Sequence, residues 1–473
     1  MVDCRSAAVE SAAVPSERSE LVFESVLVAN RGEIARRVIR TVQRMGLKAI
    51  AVYSEADAEL PFVAEADEAV LLGAAAPTES YLDIAKVVEA AAQSGAQAVH
   101  PGYGFLSENA AFAQAVIDAG LVWIGPSPSA IIAMGDKVAA RNLVGDAGVP
   151  IAPGTREPVA DVEAAVLAGK EIGYPLMVKA AGGGGGIGMK IAQDEDELRT
   201  AFGTAQSSAQ RFFANPSILL ERYVASARHV EVQILGLSDG RVVALGERDC
   251  SVQRRHQKVA EETPCPVLTP ELRARMIQAA VRAGESVGYR GAGTVEFLLD
   301  PASLPRGGEF FFLEMNARLQ VEHPITELVT GVDLVEQQLL AAAGEPASFD
   351  PDAVAASGHA IELRIYAEDP KRFFPSPGTI TTWVEPSGPG VRVDAGYQQG
   401  NTVSQFYDPL MAKLCVHGPD RATAIARARE AVAAFEVVGP KSNLPFFIEL
   451  LDDTEFVSGV YDTGLIDRMR APK

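Results

Sequence analysis

Short apolar runs alternate with amphipathic segments along the first quarter of the chain. The runs 26–29, 48–53, 98–100 and 122–125 are mostly apolar, which predicts four strands. Between them, apolar residues recur every three or four positions in 33–45, 82–93 and 109–119, as in helices. Strands that alternate with helices predict a parallel, doubly wound sheet.

The pattern changes beyond this region. Residues 137–150 read as a helical connector, and a smaller unit that contains a glycine run follows at 151–224. From 225 onward the pattern indicates mixed α and antiparallel β structure, with hairpins expected near 295–312 and 391–414. The first 23 residues are rich in Ala, Ser and Glu and are expected to form a mobile tail. A chain of 473 residues is also too long for one core.

Composition and charge exclude several classes of protein. The net charge of −20 argues against nucleic acid as a partner, because such binding needs a basic face. No apolar run approaches the roughly 18 residues that a membrane span needs, and we expect no membrane contact. The four scattered cysteines and the absence of a secretory signal predict free thiols in a cytoplasmic protein.

The glycine-rich segment is the first candidate for chemistry. The turn at 30–33 lacks the GxGxxG pattern, so a dinucleotide dehydrogenase is not expected. Five glycines at 182–186, between two predicted strands and flanked by Lys179 and Lys190, instead suggest a flap over a triphosphate. The alternative is a flexible surface hairpin.

A second candidate is a strip of alternating polar residues, which we call the polar strip. Its members are Glu314, Asn316, Arg318, Gln320 and Glu322. In an extended chain these side chains share one face. An ordinary half-exposed strand would explain the alternation, but Glu and Asn are poor strand formers. If the strip is buried, its carboxylates need a bound cation and its central Arg needs a bound anion to balance their charges.

Neighbouring residues supply a metal site and an anion site. The predicted hairpin can place Glu296 beside Glu314, and two carboxylates with the Asn316 oxygen suit Mg²⁺. The basic run 253–258 would be a solvated turn by itself. Together with His229, Lys137, Lys179 and Arg364 it is better explained as an anion site.

Seven motifs in order resemble biotin carboxylase, over about residues 24–465. One is the glycine flap, and the other six are 28–34 (VANRGEI), 100–109 (HPGYGFLSEN), 134–137 (MGDK), 247–258 (ERDCSVQRRHQK), 314–323 (EMNARLQVEH) and 358–364 (GHAIELR). The resemblance implies a Rossmann-like N-terminal domain (24–136), a linker (137–150), an ATP-grasp lid (151–224) and an ATP-grasp core with a mixed β C-terminal region (225–473).

The resemblance also implies ligands. For ATP they are Lys137, Lys179, Gly184, Gly185, Gly186, Glu221, Val224, His229, Gln253, His256, Lys258 and Leu298. For Mg²⁺ or Mn²⁺ they are Glu296, Glu314 and Asn316. Ile187 stands where the family usually carries Arg or Lys, so one lid or phosphate contact is expected to be missing.

By the same resemblance, the carbon substrates have their own residues. Those expected at bicarbonate are Lys258, Arg318, Gln320, Val321 and Glu322. Glu322 would be the general base, Arg318 and Lys258 would also take part in catalysis, and Lys258, Lys179 and Mg²⁺ would supply the positive charge around the transferred phosphoryl group. Carrier-bound biotin would lie near Tyr103, Arg364 and Asp408. Arg364 would stabilise the biotin enolate, and the turn at 406–408 would form part of the pocket.

Partners follow from what the sequence lacks. It contains no Met-Lys-Met acceptor, so we expect two separate partners, a biotin carboxyl carrier protein and a carboxyltransferase subunit. The whole complex would be an acyl-CoA carboxylase, such as an acetyl- or propionyl-CoA carboxylase. Arg31, Arg36 and the turn at 373–377 resemble a subunit contact, which predicts a homodimer. The alternatives are another ATP-grasp ligase and a non-catalytic ATP-binding assembly subunit.

Overall fold

The structure is a computed structural model that describes residues 21–180, 189–213 and 216–471. Of the predicted tail, residues 1–20 lie outside the described residues. Phe23, within that predicted tail, is buried in the core with 1% of its surface exposed. The folded chain therefore begins before residue 24, because this apolar side chain packs beneath the first sheet.

The N-terminal sheet is parallel, as predicted. Its strands are β1 (Ser25–Val28), β2 (Lys48–Ser54), β3 (Glu68–Gly73), β4 (Ala98–His100) and β5 (Val122–Trp123), in the order β3-β2-β1-β4-β5. The helices are α1 (Gly32–Arg44), α2 (Pro61–Glu65), α3 (Ile84–Ser94), α4 (Ala110–Asp118), α5 (Pro128–Gly135) and α6 (Lys137–Asp146). The predicted apolar face of α1 is buried.

A smaller antiparallel unit follows. It contains α7 (Val162–Ile172), β6 (Leu176–Ala180), β7 (Lys190–Ala192), α8 (Glu195–Phe213) and β8 (Ile218–Arg222). Its sheet has the order β7-β6-β8. An apolar cluster of its own lies between this sheet and its two helices, so the unit has a core separate from the rest of the chain.

The largest sheet has eight strands, antiparallel throughout, in the order β13-β12-β9-β10-β11-β14-β19-β17. The elements from this part of the chain to the C-terminus are β9 (Arg228–Gly236), β10 (Val242–Arg254), β11 (Gln257–Thr263), α9 (Pro270–Glu285), β12 (Gly291–Asp300), β13 (Glu309–Asn316), α10 (His323–Thr330), α11 (Leu334–Ala343), β14 (His359–Tyr366), β15 (Gly378–Thr379), β16 (Thr382–Val384), β17 (Val391–Ala395), β18 (Thr402–Val403), β19 (Leu410–Gly418), α12 (Arg421–Ala434), β20 (Glu436–Val438), α13 (Leu444–Asp452), α14 (Thr454–Ser458) and α15 (Leu465–Arg470).

Both predicted hairpins pair as expected. β12 pairs with β13, and β17 pairs with β19. The basic run 253–258 covers the end of β10, which is thirteen residues long, and the start of β11. Gln253 pairs with Lys258 across a tight turn, in which Arg255 and His256 have positive φ angles of 50° and 67°. Such a turn matches the right-handed twist of the two strands.

Within the described residues, no helix combines the length and the apolar character needed to cross a membrane.

Candidate functional site

A cavity of about 1080 Å³ lies where the N-terminal loops, the smaller unit and the large sheet meet. The predicted site residues that line it are Tyr103, Lys137, Lys179, Glu221, Val224, His229, Gln253, His256, Lys258, Glu296, Leu298, Glu314, Asn316, Arg318, Gln320, Val321, Arg364 and Asp408. Gly184, Gly185, Gly186 and Ile187 lie outside the described residues. The structure thus brings together residues that are up to about 300 positions apart in sequence.

Lys258 is the cation at the centre of the site. Its Nζ lies 2.5 Å from Glu231 Oε2, 2.8 Å from Glu296 Oε1 and 2.7 Å from Glu322 Oε1. Burial alone would lower the pKa of Lys258, but these three carboxylates hold it well above its ordinary value. The ammonium therefore stays charged and carries three hydrogen bonds to anions.

Glu322 is fully buried behind the cavity lining, at the start of α10. Besides Lys258 it accepts a hydrogen bond from Arg364, with 2.9 Å between Nη2 and Oε2. Burial alone would raise the pKa of Glu322, but Lys258, Arg364 and Arg248 hold it well below its ordinary value. The carboxylate is consequently an anion between cations.

The polar strip is not one extended segment, and that part of the prediction is wrong. β13 ends at Asn316, and residues 317–322 form a bend and a turn before α10. The turn carries Glu322 away from the strand face and beneath it. The strip is still continuous, because Arg318 donates to Asn316 Oδ1 at 3.0 Å and to Gln320 Oε1 at 2.9 Å.

The two candidate metal carboxylates face each other. Glu296 on β12 is the direct cross-strand partner of Glu314 on β13, as the hairpin predicted. Glu296 Oε1 accepts a hydrogen bond from Asn316 Nδ2 at 2.9 Å, and Glu314 Oε2 accepts one from Lys137 Nζ at 2.5 Å. Burial alone would raise the pKa of Glu296, but the charges of Lys258 and His229 outweigh that effect and hold the pKa below its ordinary value. Two carboxylates and the side-chain amide of Asn316 are a donor set that fits Mg²⁺ or Mn²⁺.

The end of the cavity that is expected to hold the nucleotide is lined from both units. Glu221 on β8 forms ion pairs with Lys179 on β6 at 2.5 Å and with Arg141 on α6 at 3.3 Å. Gln253 Nε2 lies 2.6 Å from His229 Nδ1, which orients the imidazole. Lys179 lies on β6, the last described strand before the glycine run in the sequence.

Aromatic residues form the opposite end. The Tyr103 hydroxyl donates a hydrogen bond to Glu33, and Phe406 is 45% exposed at the opening. Burial raises the pKa of Asp408, which accepts a hydrogen bond from the Leu410 amide at 2.9 Å. Tyr103, Arg364 and Asp408 thus all line the same cavity.

Arg31, which was predicted at a subunit contact, is buried within its own subunit. It is 8% exposed, forms an ion pair with Asp57 at 2.6 Å, and lies over the Tyr407 ring at 4.3 Å. These contacts make it part of the aromatic end. Phe374, in the predicted contact turn, is 61% exposed.

Three site residues were not singled out from the sequence. Glu231 on β9 contacts Lys258 and Arg248, and Glu108 accepts from Arg318 Nε at 2.8 Å. Arg141 holds the carbonyl of Ala152 at 2.5 Å besides pairing with Glu221. Glu231 had a usable signal, because polar residues alternate along β9 as they do in the polar strip. Nothing local marks Arg141.

Comparison with known families gives three matches in chain order. Residues 22–131 match the biotin carboxylase N-terminal domain, residues 136–349 the carbamoyl-phosphate synthase L chain ATP-binding domain, and residues 362–468 the biotin carboxylase C-terminal domain. Biotin carboxylase 2 of Bacillus subtilis is 48% identical over 445 residues, which cover 94% of this chain and 99% of that protein. The biotin carboxylase of Halalkalibacterium halodurans is also 48% identical, over 94% of this chain and 97% of that one.

Solved structures agree with these matches. A complex of biotin carboxylase from Campylobacter jejuni with β,γ-ATP is 43% identical, with a TM-score of 0.89 over 94% of this chain and 99% of that one. The biotin carboxylase domain dimer of Hydrogenobacter thermophilus 2-oxoglutarate carboxylase, in complex with MgADP, ADP and bicarbonate, is 42% identical. It has a TM-score of 0.88 over 95% of this chain and 98% of that one.

Proposed function

The chain belongs to the biotin carboxylase family and is an ATP-dependent ligase, and we propose how its residues divide the carboxylation of biotin among themselves. The observation that carries the proposal is the buried Lys258–Glu322–Arg364 group at the end of the polar strip. It places an ionised carboxylate next to two cations at the edge of a cavity with metal-type carboxylates. This arrangement suits a reaction in which a small anion meets a phosphoryl group.

ATP lies along the nucleotide end of the cavity. Lys137 and Lys179 meet its phosphates, the backbone at Val224 with Glu221 holds the adenine, and His229, Gln253, His256 and Leu298 line the site. The present ion pairs of Lys137 with Glu314 and of Lys179 with Glu221 support this, since both ammonium groups already lie inside the cavity. In this proposal residues 24–136 are the N-terminal domain, 151–224 the lid, and 225–473 the ATP-grasp core with the C-terminal domain.

A divalent cation is held by Glu296 and Glu314 with help from Asn316. When bound, Mg²⁺ neutralises negative charge on the phosphate oxygens. Lys258 and Lys137 are now the counter-ions of these two carboxylates, at 2.8 and 2.5 Å. Both carboxylates are therefore placed where positive charge stabilises them, which is what a metal ion would also supply.

Bicarbonate lies against Arg318, Gln320 and the Val321 amide, with Lys258 beside it. Glu322 accepts the bicarbonate proton while a bicarbonate oxygen attacks the γ-phosphorus, and ADP leaves. The product is carboxyphosphate. Positioning and neutralisation of charge contribute most to such a transfer, because the protein forms no covalent bond.

The low pKa of Glu322 explains how its basicity is controlled. Lys258 and Arg364 both contact its carboxylate, so its proton affinity is low. Substrate anions attract the same cations: phosphate and bicarbonate attract Lys258, and the biotin oxygen attracts Arg364. Each cation that turns toward substrate raises the pKa of Glu322, and the base becomes active only when the substrates are bound.

Biotin enters through the aromatic end, near Tyr103 and Asp408. Carboxyphosphate releases CO₂ and phosphate, the phosphate removes the N1′ proton of biotin, and N1′ attacks CO₂. Arg364 stabilises the enolate oxygen that forms on deprotonation. The buried guanidinium between Glu261 and Glu322, at 2.6 and 2.9 Å, is oriented for this task before biotin arrives.

We infer that the chain works as the carboxylase component of a larger assembly. A biotinylated carrier protein and a carboxyltransferase subunit complete it, and the transferase selects the acyl-CoA or oxo acid. A homodimer is supported by the dimeric relative from Hydrogenobacter. The buried free thiols of Cys250, Cys265 and Cys415 support the expected reducing, cytoplasmic location.

The test is ATP cleavage by the purified chain with bicarbonate and free biotin varied separately. We expect cleavage that requires bicarbonate and rises with biotin, because both substrates bind the one cavity. Cleavage that ammonia or an amino acid stimulates instead would favour another ATP-grasp ligase. ATP binding without hydrolysis, even with carrier protein added, would favour a non-catalytic subunit.

A further inference from the structure

Lys413 is a buried cation that the reaction above does not use. It lies on β19 with a side chain that is 0% exposed. Its Nζ donates a hydrogen bond to the Val321 carbonyl at 2.9 Å and lies 3.0 Å from Glu33 Oε2. Asp394 Oδ2 is 4.0 Å away. Burying an ammonium is costly, so this placement needs an explanation.

The neighbour of Lys413 in the sheet is Arg364. The two are direct cross-strand partners between β14 and β19, and like charges in that position destabilise a sheet. Each contacts a different residue of the same turn: Arg364 holds the Glu322 side chain, and Lys413 holds the Val321 carbonyl. Two adjacent cations thus fix two consecutive residues at the proposed bicarbonate site.

The second partner of Lys413 leads to the biotin end. Glu33 lies in the first turn of α1 and accepts a hydrogen bond from the Tyr103 hydroxyl. The Lys413 ammonium also faces the Tyr103 ring, 5.9 Å from its centroid. One buried ion pair therefore contacts the turn that is proposed to bind bicarbonate and the side chain that is proposed to line the biotin pocket.

We infer that Lys413 is a positioning residue, which holds the Val321–Glu322 turn and, through Glu33, the Tyr103 side chain in one fixed relation. The inference rests on the roles proposed above for Val321, Glu322 and Tyr103. A simple structural ion pair would explain the contacts with Glu33 and Asp394. It would not explain why Lys413 also donates a hydrogen bond to the Val321 carbonyl. That carbonyl joins Val321 to Glu322, and both residues are proposed to meet bicarbonate.

The test is Lys413→Met, which keeps the length of the side chain and removes its charge and donor. A displacement of about 1 Å at a reacting group costs on the order of 10²-fold in rate. We expect kcat/KM for bicarbonate to fall on the order of 10²-fold, with the KM for ATP changed by less than about twofold. ATP cleavage at varied bicarbonate and varied ATP separates these two constants.

A second variant separates positioning from folding. Burial raises the pKa of Glu33 to about 7 even with Lys413 beside it, so Lys413→Met leaves a buried acid without its cation. The double variant Glu33→Gln, Lys413→Met removes that acid as well. We expect the Tm to recover most of what the single variant lost, while the defect toward bicarbonate remains, because the Val321 carbonyl still lacks its donor.

Arg392→Met is the matched control. Arg392 pairs with Asp394 and Glu327 in the same group of charges, at 2.7 and 2.8 Å, and belongs to neither substrate site. We expect it to lower the Tm without changing kcat/KM for bicarbonate.

Two results would overturn the inference: normal bicarbonate kinetics in Lys413→Met, or kinetics that recover together with the Tm in the double variant. Bicarbonate-dependent ATP cleavage by the wild-type protein establishes the proposed function separately.

Discussion

Replacing Glu322 with Gln removes one negative charge from between two cations and leaves the size of the side chain unchanged. Lys258 keeps Glu231 and Glu296 as partners, and Arg364 keeps Glu261. The fold should therefore survive. A Gln side chain cannot accept the bicarbonate proton, and its amide N–H₂ would face one of the two cations.

The expected loss follows from the role of the carboxylate. A positioned general base contributes about 10²- to 10⁴-fold, which is about 3–5 kcal/mol of transition-state stabilisation. We expect kcat for bicarbonate-dependent ATP cleavage to fall within that range, with the KM for ATP nearly unchanged. Steady-state phosphate release at varied ATP measures both constants.

Glu327→Gln provides the matched control. Glu327 is also a buried carboxylate between two cations, Arg37 at 2.7 Å and Arg392 at 2.8 Å, but it belongs to neither substrate site. Its loss should lower the Tm without a comparable loss of rate. Near-normal ATP cleavage in Glu322→Gln would remove Glu322 from the role of base, and an equal loss in both variants would point to folding rather than chemistry.

Three further predictions concern neighbouring residues. Arg364→Ala should reduce biotin carboxylation by about 10²- to 10³-fold while ATP binding is kept, as separate assays of carboxybiotin and of nucleotide affinity would show. Glu108→Gln should raise the KM for bicarbonate by no more than about fivefold, because its ion pair with Arg318 is partly exposed; a hundredfold change would contradict this. His100 is buried, and burial lowers its pKa from 6.5 to about 4, an effect that Arg37 adds to and the Gln338 hydrogen bond opposes. Its unfolded form therefore takes up the proton first as pH falls, so stability present above pH 6.5 is lost by about 2 kcal/mol at pH 5. Urea unfolding at pH 7.5 and 5 should show a smaller difference in His100→Gln than in the wild-type protein.

Local patterns predicted four of the five N-terminal strands and one key pairing, but they did not predict β3. The periodicity of 33–45 predicted α1, and the two hairpins appear where alternation and turn residues placed them. Glu296 and Glu314 face each other because an antiparallel hairpin fixes its register over a few residues. These features depend on sequence neighbours, which a single sequence displays directly.

The polar strip was predicted with the right members but the wrong shape. An extended run through Glu322 overlooked Pro324, which lies at the first turn of α10 and marks the start of that helix. Lys258 contacts Glu322 across 64 positions of sequence, and Glu231 across 27. Contacts between residues so far apart in the sequence leave no periodic pattern in it, because the order of strands in the large sheet creates them.

The most direct test of the account uses bicarbonate labelled with ¹⁸O in unlabelled water. If bicarbonate held at the polar strip attacks the γ-phosphorus, one of its oxygen atoms stays on phosphorus when carboxyphosphate breaks down. The account predicts one ¹⁸O atom in each phosphate released during a single turnover, measured by mass spectrometry. Phosphate that carries no label would mean that water attacks ATP and would contradict the account.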